Sequence, residues 1–306
     1  MQRIELGFVC NNRCVFCAQG SLGARAGDDP ADALAARVEA ALEALRADEP
    51  AAFVGGEPTL HEALPRWLAE AARRGAAPLL VQTNGRRLAY LAYARSLAAA
   101  SPALGLEVSL QGQSAAMHDY HTSTPGSFAQ TVQGLRHARA LGVPFALTTV
   151  VTRSSFRHLA ELVRLARHLG ARSLYLARAE RHGHAAAAAD RVIPNEEIVA
   201  PYLEAARDEA RLLDLPLYDA AHTPGEGAPH AGIGIVEPAA AELAGGSHET
   251  PASGAAPRRL PLAKPLPARA EERGPARRSG EELRRIFPGL FGDAEAEAQK
   301  PPPPKG

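Results

Sequence analysis

The chain is 306 residues long and carries 34 Lys plus Arg against 34 Asp plus Glu, a formal net charge of zero. That length gives one large domain or two small ones with ample core, and the balanced charge argues against a chain-wide field recruiting nucleic acid or an anionic membrane. No apolar run reaches the roughly 20 residues of a bilayer span, and Met1-Gln2-Arg3-Ile4-Glu5 enters a strand-like pattern with no signal-peptide core, so the expected compartment is the cytoplasm.

In chain order, a strand is expected at 4–9, followed by a loop holding all three cysteines, Cys10, Cys14 and Cys17. The helical stripe Leu34, Val38, Leu42, Leu45 leads to a strand at 52–55 and the loop Gly55-Gly56-Glu57-Pro58-Thr59-Leu60. A second stripe, Leu64, Trp67, Leu68, Ala71, precedes Gly75 and a strand at 79–83 that ends in Gln82-Thr83-Asn84-Gly85. The fourth strand, 106–110, ends in Ser109-Leu110-Gln111-Gly112. Phe128, Val132 and Leu135 mark a helix before Gly142, Pro144 and a strand at 145–151. Leu159, Leu162, Val163, Ala166 and Leu169 mark another before Gly170 and a strand at 173–176. Glycines just past three of these helices suit left-handed C-caps.

Six strands alternating with helices specify an α/β fold, either a doubly wound sheet or an incomplete (β/α) barrel, and in both the loops after the strands form the active face. Composition divides the chain at residue 218. Residues 1–218 hold 11 of the 25 prolines, whereas the shorter 219–306 holds the rest and only two aromatics, Phe287 and Phe291. The second stretch reads as a proline-rich, mostly disordered tail, with a short helix at 281–291 as a candidate partner-docking segment. Lysine occurs only at 264, 300 and 305, which excludes a phosphate-loop lysine or a lysine Schiff base from the folded part.

An odd number of cysteines in one eight-residue window is a poor disulfide framework and a good ligand set. With no fourth cysteine in the chain, a 4Fe–4S cluster held by Cys10, Cys14 and Cys17 would keep one iron open to another ligand. The competing reading is a zinc site completed by a histidine such as His61, in a non-catalytic zinc- or cluster-binding scaffold whose tail does the work.

The CxxxCxxC loop, with Phe16 before its last cysteine, resembles the cluster motif of the radical S-adenosylmethionine (radical SAM) superfamily. Gly55-Gly56-Glu57-Pro58 is similar to that family's GGEP motif, and the polar ends of the third and fourth strands resemble those that border SAM. His118-Asp119 through Gly126-Ser127-Phe128 resembles the subgroup that modifies peptides or builds the molybdenum cofactor, although no cysteine after Cys17 is present for an auxiliary cluster. The resemblance, over about residues 3–213, implies an incomplete (β/α)6 TIM-like barrel. It implies a 4Fe–4S cluster on Cys10, Cys14 and Cys17, with SAM chelating the open iron. Phe16, Gly55, Gly56, Glu57, Asn84, Ser109 and Gln111 are the implied SAM neighbours, Glu57 offering its carboxylate to a cationic amine. The implied reaction is one-electron cleavage of SAM to methionine and a 5′-deoxyadenosyl radical that takes hydrogen from an unidentified substrate. The implied electron donor is a flavodoxin or ferredoxin.

Two further groups are candidates by residue type alone. His118, His121, His182 and His184, with Glu180, offer metal-ligand chemistry but are expected to be solvated loop residues. Arg153, Arg157 and Arg178 follow the last two expected strands and are candidates for an anionic group.

Overall fold

The computed structural model describes residues 1–20 and 31–219; the expected tail and its helix at 281–291 lie outside the described residues. Seven parallel strands form one sheet in sequence order: β1 (Gln2–Glu5), β2 (Ala51–Val54), β3 (Leu79–Thr83), β4 (Leu104–Ser109), β5 (Phe145–Val151), β6 (Leu174–Arg178) and β7 (Leu217–Asp219). The crossovers carry α1 (Ala31–Glu43), α2 (Leu64–Arg73), α3 (Leu91–Ala100), α4 (Ala115–Thr122), α5 (Ser127–Ala140), α6 (Leu159–Leu169), the short α7 (Gly183–Ala187) and α8 (Ala189–Val192), and α9 (Glu196–Leu212). The longer helices pack on one another around the sheet, α1 on α2, α2 on α3, α3 on α5, α5 on α6 and α6 on α9. A singly wound strand order with helices meeting in the same order is a partial (β/α) barrel rather than a doubly wound sheet.

The barrel expectation holds, with a seventh strand added to the six. The first strand is shorter than expected: Leu6 N still donates to the Val54 carbonyl at 2.8 Å, but Gly7, at φ +76°, then turns the chain away. The helix stripes bury as the periodicity requires. On α2, Leu64, Trp67, Leu68 and Ala71 are all buried, and a leucine fully withdrawn from water contributes about 1.5–3 kcal/mol. Gly75, Gly142 and Gly170 adopt the expected left-handed conformation at helix ends.

Alternation within the strands separates two faces. Ile4, Phe53, Val81, Leu106, Leu147 and Leu176 are buried on the face the helices cover. The opposite face, the lumen, runs across the register through Gln82 and Glu107, and through Ser109, Thr148, Tyr175 and Tyr218. It is half-buried and polar at most of these positions.

Candidate active site at the strand ends

The cysteine loop lies where β1 ends and is gripped by neighbouring strand ends. After β2, Gly56 N donates to the Gly7 carbonyl and Glu57 N to the Val9 carbonyl, each at 2.8 Å. A Cβ on Gly56 would sit 2.4 Å from the Phe8 and Val9 carbonyl oxygens, so only glycine allows this approach. After β6, His184 N donates to the Cys17 carbonyl and the His184 ring meets the Cys14 carbonyl at Nδ1, both at 3.0 Å. A Cβ on Gly183 would lie 2.1 Å from the Cys17 carbonyl oxygen.

Two further supports come from β3 and α4. Arg86, just past Asn84-Gly85, donates to the Asn11 carbonyl, to Asn12 Oδ1 at 2.9 Å and to Gln130 Oε1 at 2.7 Å. Asn84 Nδ2 donates to Asn11 Oδ1 at 2.6 Å. Arg13 N and Val15 N donate at 2.9 Å to the Thr122 and His121 carbonyls, which fall in the last turn of α4, where intrahelical donors are lacking. Phe16 turns inward, 5.8 Å from the His121 ring centroid, and packs with Val15 and Tyr175 against Val150, Ala177 and Val192.

Glu57 is 1% exposed and its carboxylate faces the protein. Oε1 accepts from Thr59 N at 3.0 Å, Thr59 Oγ1 at 2.5 Å and Thr83 Oγ1 at 2.6 Å, and Oε2 accepts from Asn84 N at 2.6 Å. Three of the four donors converge on Oε1 and one on Oε2, which leaves acceptor capacity on Oε2. Glu57 thereby ties the loop after β2 to the end of β3. Burial pushes its pKa up, and the hydrogen bonds from Asn84, Thr59 and Thr83 oppose that rise. Gln111 is turned in likewise, its Oε1 accepting from Val150 N at 2.9 Å, whereas Ser109 faces the lumen beside Thr148.

His118 and His121 are fully buried on α4, not solvated in a loop as expected. His121 Nδ1 contacts the Gln111 carbonyl at 2.7 Å, which requires an N–H there, leaving Nε2 to accept from Thr152 and Ser154 at 2.8 Å. His118 Nδ1 accepts from Gln111 N at 3.0 Å, and burial lowers its pKa to about 4. Burial lowers the His121 pKa as well, and both rings act as struts joining α4 to the ends of β4 and β5. Asp119 between them caps α5, accepting from Gly126 N at 2.7 Å, Ser127 Oγ at 2.9 Å and Phe128 N at 2.8 Å. The arginine candidates have protein partners: Arg153 donates to the Asp190 carbonyl, Arg178 pairs with Glu196, and Arg157 lies 4.3 Å over the Phe156 ring. His182 Nε2 stands 3.6 Å from Glu180.

The donor chemistry suits a thiolate-ligated centre. Burial raises the Cys10 thiol to about 11 and pushes Cys14 and Cys17 up as well, and for Cys14 the neighbouring charges of Cys17 and Cys10 add to the rise. Three buried thiols whose ionisation is disfavoured are reconciled by a cationic centre, which deprotonates its sulfur ligands outright. Backbone N–H groups already face the sulfurs: Asn12 N lies 3.4 Å from Cys10 Sγ, and those of Gln19 and Gly20 lower the Cys17 thiol. Such contacts tune iron–sulfur centres. His61, the fourth ligand of the zinc reading, instead packs its ring against Trp67, 6.2 Å between centroids. Among the described residues no set of three or more His, Cys, Asp or Glu is arranged to hold a single metal ion.

Arg86 and His184 were not identified from sequence. Arg86 directly follows the Gln-Thr-Asn-Gly strand end, which is the one local sign of its role; His184 drew notice only as a possible metal ligand.

Comparison with known proteins matches this arrangement. The sequence model of the radical SAM superfamily fits residues 4–166, just over half of the chain. An AdoMet-dependent heme synthase of Nitratidesulfovibrio vulgaris is 28% identical over 145 residues, 47% of this chain and 39% of that one. The chain thus spans well under two thirds of the curated relatives it matches. Streptococcus suis SuiB bound to S-adenosylmethionine superposes with a TM-score of 0.53 at 18% identity, covering 71% of this chain and 50% of that one. For anSMEcpe with bound AdoMet the values are 0.55 and 18%, over 72% and 64%. At these identities the structural likeness is one of fold. The family match, together with the three-cysteine loop at the strand ends, leads to one conclusion: this chain belongs to the radical SAM superfamily, whose cofactors are a 4Fe–4S cluster and S-adenosylmethionine.

Proposed function

We propose that Cys10, Cys14 and Cys17 hold three irons of a 4Fe–4S cluster and that the chain cleaves SAM reductively to act on a substrate in the barrel lumen. The observation that carries this reading is the grip on the three-cysteine loop by the ends of β2, β3 and β6 at the C-terminal edge of a parallel sheet. When bound, the cluster and SAM supply one-electron cleavage to methionine and a 5′-deoxyadenosyl radical that takes a hydrogen atom from the substrate.

The chain's own residues bind and orient. Gly55 and Gly56 present backbone without side chains at the end of β2, Asn84 and Glu57 fix the end of β3 against the cysteine loop, and Phe16 covers the loop on its inner side. With Ser109 and Gln111 at the end of β4, these residues form the border assigned to SAM. Glu57 organises that border by tying Thr59 to Thr83 and Asn84, and its Oε2, with one hydrogen bond, keeps acceptor capacity for the SAM amine. A flavodoxin or ferredoxin is the proposed reductant and the cytoplasm the proposed compartment; no helix among the described residues is long and apolar enough to cross a membrane. The relatives' names point in different directions, one to heme synthesis and one to a precursor peptide, so neither substrate is carried over.

Electron paramagnetic resonance on the anaerobically reconstituted, dithionite-reduced protein tests the site. A cluster signal that changes when SAM is added, and is lost in Cys14→Ala with the barrel still folded, is the expected result. One zinc and no iron per chain would contradict it and favour a scaffold.

A further inference from the structure

Two buried histidines close on a single residue at the end of β4. His118 and His121 stand three residues apart on α4, so they share a face of the helix, and both are 0% exposed. His118 Nδ1 accepts from Gln111 N at 3.0 Å, and His121 Nδ1 donates to the Gln111 carbonyl at 2.7 Å. Both backbone polar groups of Gln111 are therefore held by side chains of α4. Gly112 lets the helix come this close, because a Cβ there would lie 2.9 Å from His118 N. The Gln111 side chain is fixed too. Its Oε1 accepts from Val150 N at 2.9 Å, which leaves the two amide N–H groups as the donors it can offer a ligand.

His121 carries the hold further. Its Nε2 lies 2.8 Å from Thr152 Oγ1 and from Ser154 Oγ after β5, and its backbone carbonyl accepts from Val15 N of the cysteine loop at 2.9 Å. His118 is placed at a cost to the fold. With Nδ1 accepting, its ring proton sits on Nε2, which is buried without a partner. An unpaired buried N–H is destabilising, so the bond at Nδ1 is what that ring supplies.

We propose that His118 and His121 are positioning residues for SAM: by clasping the N–H and carbonyl of Gln111 they set where its amide meets SAM relative to the cysteine loop. This rests on the place given to Gln111 in the SAM border above. The cysteine loop is held at His121 through the backbone carbonyl, which every substitution keeps, so SAM binding depends on the ring and cluster assembly does not.

Three substitutions at His121 separate its arms. Asparagine carries its amide nitrogen as many bonds from Cβ as Nδ1, so His121→Asn keeps the donor to Gln111. His121→Gln reaches the Nε2 position and keeps the contacts to Thr152 and Ser154, and His121→Leu keeps neither arm. SAM affinity is measured by calorimetry on reconstituted, unreduced holoenzyme, with iron content and melting temperature taken on the same samples. Loss of the bond to Gln111 should weaken SAM about tenfold or more in the Leu and Gln variants, whereas His121→Asn should stay within about threefold of wild type. Iron content should match wild type in all three. A role in stability alone would make SAM affinity follow melting temperature across the series. Wild-type affinity in His121→Leu or His121→Gln, an Asn variant no better than Gln, or iron lost in parallel with affinity would each overturn the assignment. If His121→Leu does not fold, the contrast between Asn and Gln decides. A wild-type protein that takes up no cluster, or holds one and does not bind SAM, would mark failure of the radical SAM reading, and the proposal falls with it.

Discussion

Replacing Gly56 by alanine tests how closely the GGEP loop and the cysteine loop approach. Gly56 has no left-handed φ, so the added methyl acts through space alone. It would meet the Phe8 and Val9 carbonyl oxygens at 2.4 Å, about 0.6 Å or more inside the closest distance real Cβ atoms show, and both neighbours are backbone. Overpacking of this kind costs about 1–3 kcal/mol. Parting the loops also weakens the bonds from Gly56 N to Gly7 and from Glu57 N to Val9, each worth roughly 0.5–1.5 kcal/mol. The total of about 2–6 kcal/mol corresponds to a fall in melting temperature of roughly 4–24 °C for a domain of this size. Differential scanning calorimetry and iron content on reconstituted protein measure both consequences. Gly142→Ala is the control, because Gly142 has φ +73° and nothing within 4 Å of an added Cβ. It should cost only backbone strain, about 1–2 kcal/mol, and leave iron content unchanged. A Gly56→Ala protein with wild-type melting temperature and full iron loading would refute the reasoning.

Three other outcomes follow from the same geometry. Asp119→Ala removes the cap of α5 and should cost about 1–3 kcal/mol. Because hydrogen bonds from Phe128, Gly126 and Ser127 hold the Asp119 carboxyl low despite its partial burial, its stabilisation is present above the unfolded pKa near 4 and lost as pH falls through the folded value, so the variant should differ least from wild type in strong acid. Glu57→Gln places an amide where Asn84 N, Thr59 and Thr83 all donate, and should cost about 2–4 kcal/mol in urea denaturation; a cost under 0.5 kcal/mol would contradict the bonding described. Glu107 has the opposite sign. Burial raises it from 4.5 to about 7, so the folded state holds the proton more tightly and stability falls as pH climbs across that window. Glu107→Gln should flatten that fall, and identical pH slopes in the two proteins would contradict it.

How much was legible in the sequence follows from where each signal lies. The strands at 79–83 and 145–151 were read to the residue because Leu, Val and Thr runs are bounded by Pro78, Asn84-Gly85 and Pro144. Helix α3 carries no readable stripe because LAYARSLAAA is half alanine and buries only Ala94 and Leu97. Helix α9 contains Pro201 and buries just Val199, Ala206 and Ala210, too sparse a stripe to stand out. Strand β7 is three residues after Pro216, too short for alternation to register.

At the site, the cysteines declared themselves by spacing, which is local. Their supports did not, because Arg86 reaches Asn11 across 75 residues and His184 reaches Cys14 across 170. The glycine and carboxylate of GGEP were visible as residue types, but the direction of Glu57 was not. Its turn toward Thr83 and Asn84 depends on β3 lying beside β2, which only the folded sheet provides. The histidines show the same limit, since burial on α4 rather than solvation in a loop follows from how α4 packs against the ends of β4 and β5.

The central claim is SAM cleavage at Cys10, Cys14 and Cys17, and the most direct measurement is 5′-deoxyadenosine by mass spectrometry after anaerobic reconstitution with iron and sulfide, then incubation with dithionite and SAM. The account predicts its formation by the wild-type protein and its loss in Cys14→Ala. A wild-type protein that carries the cluster, binds SAM and yields no 5′-deoxyadenosine, or a Cys14→Ala protein that yields as much as wild type, would contradict it.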